Sequence, residues 1–311
     1  MGREPSMTRI LVTGASGMLG LNFCLKVCEQ YELIGVCHTN TLRDLPFEMI
    51  QRDFFHDSVE RLIGETEPDV ILHCAAMANV DACEKDADAA KQINGVFPGT
   101  LAAEARKNGV KMVHISTDAV FDGVDAGENG YRETDETNPI NVYAKTKLLG
   151  EQNVLDANPD ALVARVNFYG WSITGRRSLG EIFYHNLSEG KEMNGFTDIF
   201  FTTLYVGKLT EILTKMIRLD AKGIYHVFSS EYQSKYAFGL SIARKFGLDE
   251  TLLHPISWKD AGLTAVRSPN LIMNTDKLSA LFKSELPNQQ ESLECFSEDY
   301  YQGLPSRIMG F

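Results

Sequence analysis

The stretch that decides the fold is Arg9-Ile-Leu-Val-Thr13 followed by Gly14-Ala-Ser-Gly17-Met-Leu-Gly20, a strand-like run leading into a G-x-x-G-x-x-G turn. Helical periodicity then extends over residues 18–31. A strand, a glycine turn and a helix in this order form the context that a dinucleotide-binding site requires. A tight turn needs a residue without a Cβ, and so does close approach of backbone to a diphosphate. The alternative is a glycine-rich turn without a ligand.

Working outward, strand-like and helix-like segments alternate through the first half of the chain. The predicted strands are residues 9–13, 32–37, 47–50, 69–74, 111–116 and 161–166. The predicted helices are residues 18–31, 58–65, 87–107 and 143–156. This alternation predicts β-α-β units and a parallel sheet with helices on both faces.

The second half is less regular, with helices predicted at residues 179–188, 206–218 and 235–246 and a strand at residues 223–228. We therefore predict an α/β fold: a Rossmann-type doubly wound parallel sheet with a smaller C-terminal substrate lobe. The cofactor domain is expected at residues 7–166, with residues 203–250 returning to it. The smaller lobe is expected at residues 167–202 and 251–311.

Composition sets limits on the class of ligand. The chain has 311 residues, 44% hydrophobic and 23% charged, the balance of an ordinary globular protein. Its 42 acidic and 30 basic residues give a net charge of −12, which argues against a general nucleic-acid binder. An anionic small molecule stays open, because a pocket can be locally basic on an acidic protein.

Targeting signals are also missing from the sequence. No apolar run reaches 18 residues and Met1–Met7 is polar, so neither a membrane-spanning helix nor a signal peptide is expected. Six scattered cysteines form no C-x-x-C pair, which is typical of reduced thiols in a cytoplasmic protein. We therefore expect a cytoplasmic protein without membrane partners.

Cofactor contacts are predicted where the first four strands end. The second strand is followed by Cys37-His38-Thr39-Asn40-Thr41-Leu42-Arg43, with no carboxylate to bond a ribose 2′-hydroxyl. Because His38, Thr39 and Arg43 suit a 2′-phosphate, the sequence favours NADP(H), with NAD(H) as the alternative. The predicted cofactor-binding residues are Gly14, Ser16, Gly17, Met18, Leu19, Gly20, His38, Thr39, Arg43, Asp53, Phe54, Ala75, Ala76, Tyr143 and Lys147.

The chemistry is predicted at Tyr143-Ala-Lys-Thr-Lys147, a Y-x-x-x-K pattern that opens a helix after a strand that ends with Ser116-Thr117-Asp118. Residues four apart share a helix face. Hydride transfer to a ketone leaves an alkoxide that needs a proton, and Tyr143 is the predicted donor. The Lys147 ammonium is expected to lower the phenol's pKa, and Thr117 to hydrogen-bond the substrate oxygen. A half-buried structural tyrosine at the helix start is the alternative.

These residues together resemble the extended short-chain dehydrogenase/reductase family, and within it the dTDP-4-dehydrorhamnose reductase group. The segments that carry the likeness are Gly14–Gly20, HCAAMANVDACE (His73–Glu84), STDAVFDG (Ser116–Gly123), ETDETNPINVYAKTKLLGE (Glu133–Glu151) and Arg267–Leu278. The resemblance implies a two-lobed NADP(H)-dependent reductase of a nucleotide-linked 4-keto-6-deoxy sugar. Thr117, Tyr143 and Lys147 take the catalytic positions, and Asn94 joins the cofactor-binding residues.

The resemblance also places the substrate between the sheet and the smaller lobe. The residues expected to bind it are Thr117, Asp118, Asn167, Trp171 and Arg267. Arg176, Arg177 and Lys191 are further candidates for its diphosphate, although the two arginines also fit a solvent-exposed pair.

Two other functions stay open. An epimerase or dehydratase shares the tyrosine and lysine, but the dehydratase pattern continues with a glutamate after Asp118, where this chain has Ala119. A non-catalytic regulatory subunit similar to the methionine adenosyltransferase regulatory protein is the alternative outside catalysis. Asn22 replaces a glutamate that some bacterial members use in a magnesium-mediated dimer, so no metal is expected. Dimers are common among these relatives, which keeps a homodimer open.

Overall fold

The computed structural model describes residues 7–39, 41–53, 57–260 and 268–311. The strands of this part of the chain are β1 (Arg9–Thr13), β2 (Glu32–Cys37), β3 (Glu48–Gln51), β4 (Val70–His73), β5 (Lys111–Thr117), β6 (Leu162–Val166), β7 (Phe168–Tyr169), β8 (Met193–Phe196), β9 (Phe200–Phe201), β10 (Leu204–Tyr205), β11 (Gly223–Val227), β12 (Gln233–Ser234), β13 (Leu253–Ile256) and β14 (Asn270–Leu271).

Its α-helices are α1 (Met18–Val27), α2 (Val59–Thr66), α3 (Val80–Lys85), α4 (Ala87–Ala90), α5 (Phe97–Lys107), α6 (Val142–Ala157), α7 (Leu179–Ser188), α8 (Val206–Arg218), α9 (Lys235–Phe246), α10 (Asp276–Phe282), α11 (Gln289–Tyr301) and α12 (Leu304–Met309). A π-helical segment, Lys91–Val96, joins α4 to α5.

The main sheet has seven strands in the order β11-β6-β5-β4-β1-β2-β3, and every neighbouring pair is parallel. From β1 the chain runs outward through β2 and β3, then returns to the other side of β1 at β4. The strand order therefore reverses between β1 and β4, where ligands bind in such sheets. The predicted Rossmann-type doubly wound parallel sheet is confirmed.

The central strands are buried on both faces, because helices cover both sides of a parallel sheet. All residues of β4 and β6 are buried. One core layer lies between the sheet and helices α1 and α8, and a second lies between the sheet and helices α2, α5 and α6. The carboxyl ends of β1, β4 and β5 thus form a rigid edge on which side chains can be positioned.

The helix predicted at residues 87–107 is interrupted. Phe97 N–H donates to the carbonyl of Gln92, five residues back, and Pro98 has no N–H with which to bond the carbonyl of Asn94. The resulting π-helical segment contains Asn94, and such segments are frequent at functional sites. Helix α3, which the sequence reading did not predict, precedes this region.

The described residues of the second half form three small sheets besides β11, pairing β10 with β7, β13 with β8, and β9 with both β12 and β14. Aromatic side chains fill the space between them, and Trp171 stacks on Phe296 with ring centroids 4.1 Å apart. The described helices include none with the length and apolar character needed to cross a membrane.

Candidate active site

Two positions of the glycine turn, Gly14 and Gly20, fit only a residue without a side chain. Gly14 has φ +69°, and a Cβ added there would lie 2.7 Å from the backbone N of Ala75. A Cβ on Gly20 would lie 2.4 Å from the Gly14 carbonyl oxygen. Helix α1 follows, and no side chain caps its N-terminus at Gly17. Its first N–H groups are therefore available to an anionic ligand.

A cleft of about 470 Å³ lies over this turn. It is lined by Gly14, Ser16, Gly17, His38, Thr39, Cys74, Ala75, Ala76, Met77, Ala89, Ile93 and Arg177. The structure thus brings together the predicted residues from the ends of β1, β2 and β4. A larger cavity of about 700 Å³ lies between residues 122 and 138, but five of its lining residues are acidic, so it is unsuited to a phosphate.

Other predicted cofactor residues lie at or beyond the rim of this cleft. His38 Nε2 is 3.7 Å from Asp53 Oδ1. Met18, Leu19 and Gly20 begin α1, where the Leu19 side chain is buried in the core. Arg43 is exposed and donates its backbone N–H to the Phe311 carbonyl at 3.0 Å, away from the cleft lining. The prediction for Phe54 falls outside the described residues.

Asn94 connects the cleft to helix α6. Its Oδ1 accepts from Met77 N–H at 2.8 Å, and its Nδ2 donates to the Met77 carbonyl at 3.0 Å and to Thr146 Oγ1 at 3.2 Å. A Cβ on Gly150 would lie 2.2 Å from the Asn94 carbonyl oxygen. This buried asparagine therefore fixes α6 against the segment that follows β4.

The start of α6 carries Tyr143 and is held by two side chains. Asn141 Oδ1 accepts from Ala144 N–H at 2.9 Å, and Glu84 Oε1 accepts from Val142 N–H at 2.9 Å. Thr117 lies at the end of β5, and its hydroxyl lowers the pKa of the Tyr143 phenol. The sequence reading gave Glu84 no role, although it belongs to the His73–Glu84 segment.

Burial controls the proton affinities of Tyr143 and Lys147. It raises the pKa of Tyr143 to about 12, and the Thr117 hydroxyl offsets only part of this. It lowers the pKa of Lys147 to about 8, against the opposing effect of Glu151. Lys147 Nζ donates to the Ile115 carbonyl at 2.6 Å. The pKa of Tyr143 is thus raised and not lowered as expected, because desolvation of the phenolate is the largest effect, and Lys147 is not among the groups that shift this pKa.

Asp118 and Asn167 form a polar pair beside Thr117. Asn167 Nδ2 donates to Asp118 Oδ2 at 2.7 Å, and Thr117 Oγ1 donates to Asp118 Oδ1 at 3.1 Å. Burial raises the pKa of Asp118 to about 6 in spite of these bonds. Both predicted substrate residues thus lie with Thr117 at the carboxyl ends of β5 and β6.

Trp171 requires a correction. Its side chain is 1% exposed, stacks on Phe296, and donates its indole N–H to the Phe296 carbonyl at 3.1 Å. A side chain buried in this way cannot contact a substrate in the cleft, so the prediction that Trp171 binds substrate is wrong. Arg267 falls outside the described residues.

The basic side chains predicted for a substrate diphosphate are separated in the structure. Arg176 lies 3.6 Å from Glu189, which also pairs with Lys191, and all three side chains are exposed. Arg177 instead lines the cleft over the glycine turn.

Beneath Lys147 lies a buried ion pair that the sequence reading missed. Glu151 accepts from Arg165 at 2.8 Å and from Ser116 Oγ at 2.5 Å. Glu151 and Arg165 are each 2% exposed. The spacing from Lys147 to Glu151 is one helical turn, so the side chains share a face, and this spacing was the available signal.

Comparison with known proteins gives the family and several relatives. A family model described as RmlD substrate binding domain matches residues 7–302. A probable low-salt glycan biosynthesis reductase of Haloferax volcanii is 31% identical over 93% of this chain and 98% of its own length. Methionine adenosyltransferase 2 subunit beta of Danio rerio is 32% identical over 88% of this chain and 84% of its own length.

The fold also matches solved structures. The crystal structure of dTDP-4-dehydrorhamnose reductase from Bacillus anthracis in complex with NADP has a TM-score of 0.79 and 26% identity. The alignment covers 94% of this chain and 100% of that one.

Proposed function

Because the chain belongs to the RmlD substrate binding domain family, we propose that it is an NADP(H)-dependent reductase of a nucleotide-linked 4-keto-6-deoxy sugar. Tyr143 is the proton donor in this proposal. The observation that carries it is the cluster of Thr117, Tyr143 and Lys147 at the same sheet edge as the glycine turn. Reductases in glycan and dTDP-rhamnose chemistry among the relatives support the substrate class.

The cleft fits a dinucleotide. Gly14 and Gly17 leave room for a diphosphate, and the uncapped N-terminus of α1 supplies N–H donors. His38 and Thr39 line the same cleft, and no acidic side chain is among its described lining residues. We therefore assign NADP(H) as the preferred cofactor and NAD(H) as the alternative, in keeping with the NADP complex of the Bacillus anthracis relative.

Bound NADPH would supply the hydride that reaches the carbonyl carbon of the sugar. Thr117 Oγ1 would turn its proton from Asp118 Oδ1 to the carbonyl oxygen, which develops negative charge as the hydride arrives. Tyr143 then donates its phenolic proton to that oxygen, completing the alcohol. A pKa of about 12 keeps this proton on Tyr143 at neutral pH, the state that a proton donor needs.

The remaining side chains position the reactants. Lys147 is expected to bond the nicotinamide ribose, and Asn94 fixes α6 so that Tyr143 and Lys147 keep their places. Asp118 and Asn167 lie beside Thr117, where we expect them to bind hydroxyl groups of the sugar. The substrate role of Arg267 and the cofactor role of Phe54 stay predictions.

Replacing Tyr143 tests this proposal. Tyr143→Phe is expected to lower the rate of NADPH oxidation with a dTDP-4-keto-6-deoxy sugar by about 10²- to 10⁴-fold. NADPH affinity, measured by fluorescence titration, should change little. Tyr31→Phe is the matched control, because Tyr31 hydrogen-bonds Arg218 at 2.9 Å at the amino end of β2, away from the site. Loss of NADPH binding together with activity in Tyr143→Phe would contradict the assigned role.

A second candidate is a non-catalytic NADP-binding regulatory subunit. The similarity to methionine adenosyltransferase 2 subunit beta, at 32% identity, favours it. The two candidates differ in one measurement, turnover of NADPH with a panel of nucleotide-linked keto sugars. Tight NADPH binding without turnover on any of them would favour the regulatory subunit.

A further inference from the structure

Arg177 belongs to the segment between β7 and α7, which is far in sequence from the glycine turn but borders the same cleft. Arg177 lines the cleft together with Gly14, Ser16 and Gly17. It is the one arginine or lysine among the described residues that do so. A dinucleotide in this cleft carries several phosphate charges, and the chain as a whole carries a net charge of −12. A local cation there therefore has a large effect on binding.

The backbone of this segment is fixed by a buried acid. Glu181, which is 0% exposed, accepts from the N–H groups of Ser172 at 2.6 Å, Arg177 at 3.0 Å and Ser178 at 3.0 Å. Ser178 in turn caps α7 by accepting from the N–H of Glu181 at 3.1 Å. The backbone position of Arg177 is therefore set by Glu181 and needs no ligand to form.

Its neighbour Arg176 shows the contrast. The Arg176 guanidinium lies 3.6 Å from Glu189 on an exposed surface. No carboxylate of the described residues forms an ion pair with the Arg177 side chain. Two adjacent arginines thus have different surroundings: one is paired on the surface, and the other borders the cleft without an ion pair to any acid that the structure describes.

We propose that Arg177 binds the diphosphate of NADP(H) from the side opposite the glycine turn. The N-terminus of α1 donates N–H groups from one side, and the planar guanidinium donates from the other, in the geometry that suits phosphate oxygens. The cofactor site is then completed by a segment outside the first 166 residues. This inference rests on the cofactor of the proposed function, but not on its substrate or its proton donor.

Dissociation constants for NADPH and NADH test this assignment in the full chain. Arg177→Met is expected to weaken the binding of both cofactors by about 10- to 100-fold, because it removes charged hydrogen bonds to a group that both dinucleotides share. Arg177→Lys should lose less affinity, since lysine keeps the positive charge but lacks the paired N–H donors of the guanidinium. Arg176→Met is the matched control and should bind both cofactors as the wild type does. The melting temperature of each variant without cofactor should match the wild type, because Glu181 bonds the backbone and not the guanidinium.

The outcomes separate this inference from the proposed function. Unchanged affinity in Arg177→Met, with tight binding by the wild type, overturns the role of Arg177 and leaves the proposed function intact. A loss confined to NADPH overturns the assignment to the diphosphate and moves the contact to the 2′-phosphate. Failure of the wild type to bind either dinucleotide overturns both proposals.

Discussion

Helices α6 and α7 offer an instructive comparison, since each begins at a side-chain cap, Asn141 or Ser178, and each buries one glutamate. In α6, Glu151 pairs with a buried cation, Arg165, that lies on the neighbouring strand β6. In α7, the donors to Glu181 that the structure describes are only backbone N–H groups and the Ser172 hydroxyl, all close in sequence.

This difference separates two ways of positioning functional groups. The α6 glutamate fixes the helix that carries Tyr143 and Lys147 to the sheet, through a charge pair. The α7 glutamate fixes a loop, and through the loop it places Arg177. A buried ion pair is costly to break because one charge remains, whereas a carboxyl group bonded to N–H donors leaves no opposite charge behind.

The largest expected effect follows from Glu151→Gln. It removes the carboxylate that Arg165 pairs with and leaves a buried guanidinium uncompensated, so the free energy of unfolding should fall by about 3–5 kcal/mol. Urea denaturation measures this loss. Glu60 lies in an exposed ion pair, 3.2 Å from Lys107. Glu60→Gln should therefore change the free energy of unfolding by less than about 0.5 kcal/mol. An equally small change for Glu151→Gln would contradict the importance of the ion pair.

Glu181→Gln should lower the free energy of unfolding by less, about 1.5–3 kcal/mol, because only hydrogen bonds to a charged acceptor are lost. The amide also places an NH₂ group against N–H donors, so the loop should loosen and NADPH affinity should fall. Denaturation and fluorescence titration of the same variant measure both effects. Glu189→Gln on the exposed end of α7 is the control. A loss equal to that of Glu151→Gln would remove the distinction between the two helices.

Low pH should destabilise the fold through two buried histidines, His73 on β4 and His114 on β5. Burial holds the pKa of His114 well below its usual 6.5 and that of His73 at about 3, so both are neutral in the folded protein. The unfolded chain binds these protons below pH 6.5, and stability is therefore lost as pH falls. His114→Leu should reduce the drop in unfolding free energy between pH 7 and pH 5 by about 2 kcal/mol. An unchanged drop would show that His114 is already protonated in the fold.

The smallest effect concerns the alkaline side. The pKa of about 8 for Lys147 means that its ammonium is lost above that pH, so kcat/KM for NADPH should fall about tenfold per pH unit beyond it. NADPH contacts made by Arg177 should be insensitive to this range, because an arginine stays charged. Loss of this fall above pH 8 in the pH profile of Lys147→Met would support its assignment to Lys147. An unaltered fall in that variant would contradict the assignment.

Some of the site could be predicted because its signals are local. Thr117, Tyr143 and Lys147 follow from a strand end and a helical spacing, and the glycine turn follows from its own spacing. Trp171 and Arg177 could not be placed in this way. Whether a side chain after β6 enters the core or the cleft depends on partners more than 100 residues away, such as Phe296 for Trp171, and on buried acids such as Glu181.

The sequence by itself determined the parallel sheet, the glycine turn and the helix that carries the tyrosine, because hydrophobic period and the absence of a Cβ act over a few residues. Only the tertiary structure decided which arginine reaches the cleft and how Glu151 meets Arg165. It also reversed the expected shift in the pKa of Tyr143. These properties depend on burial and on distances between residues remote in the chain, and packing alone sets both.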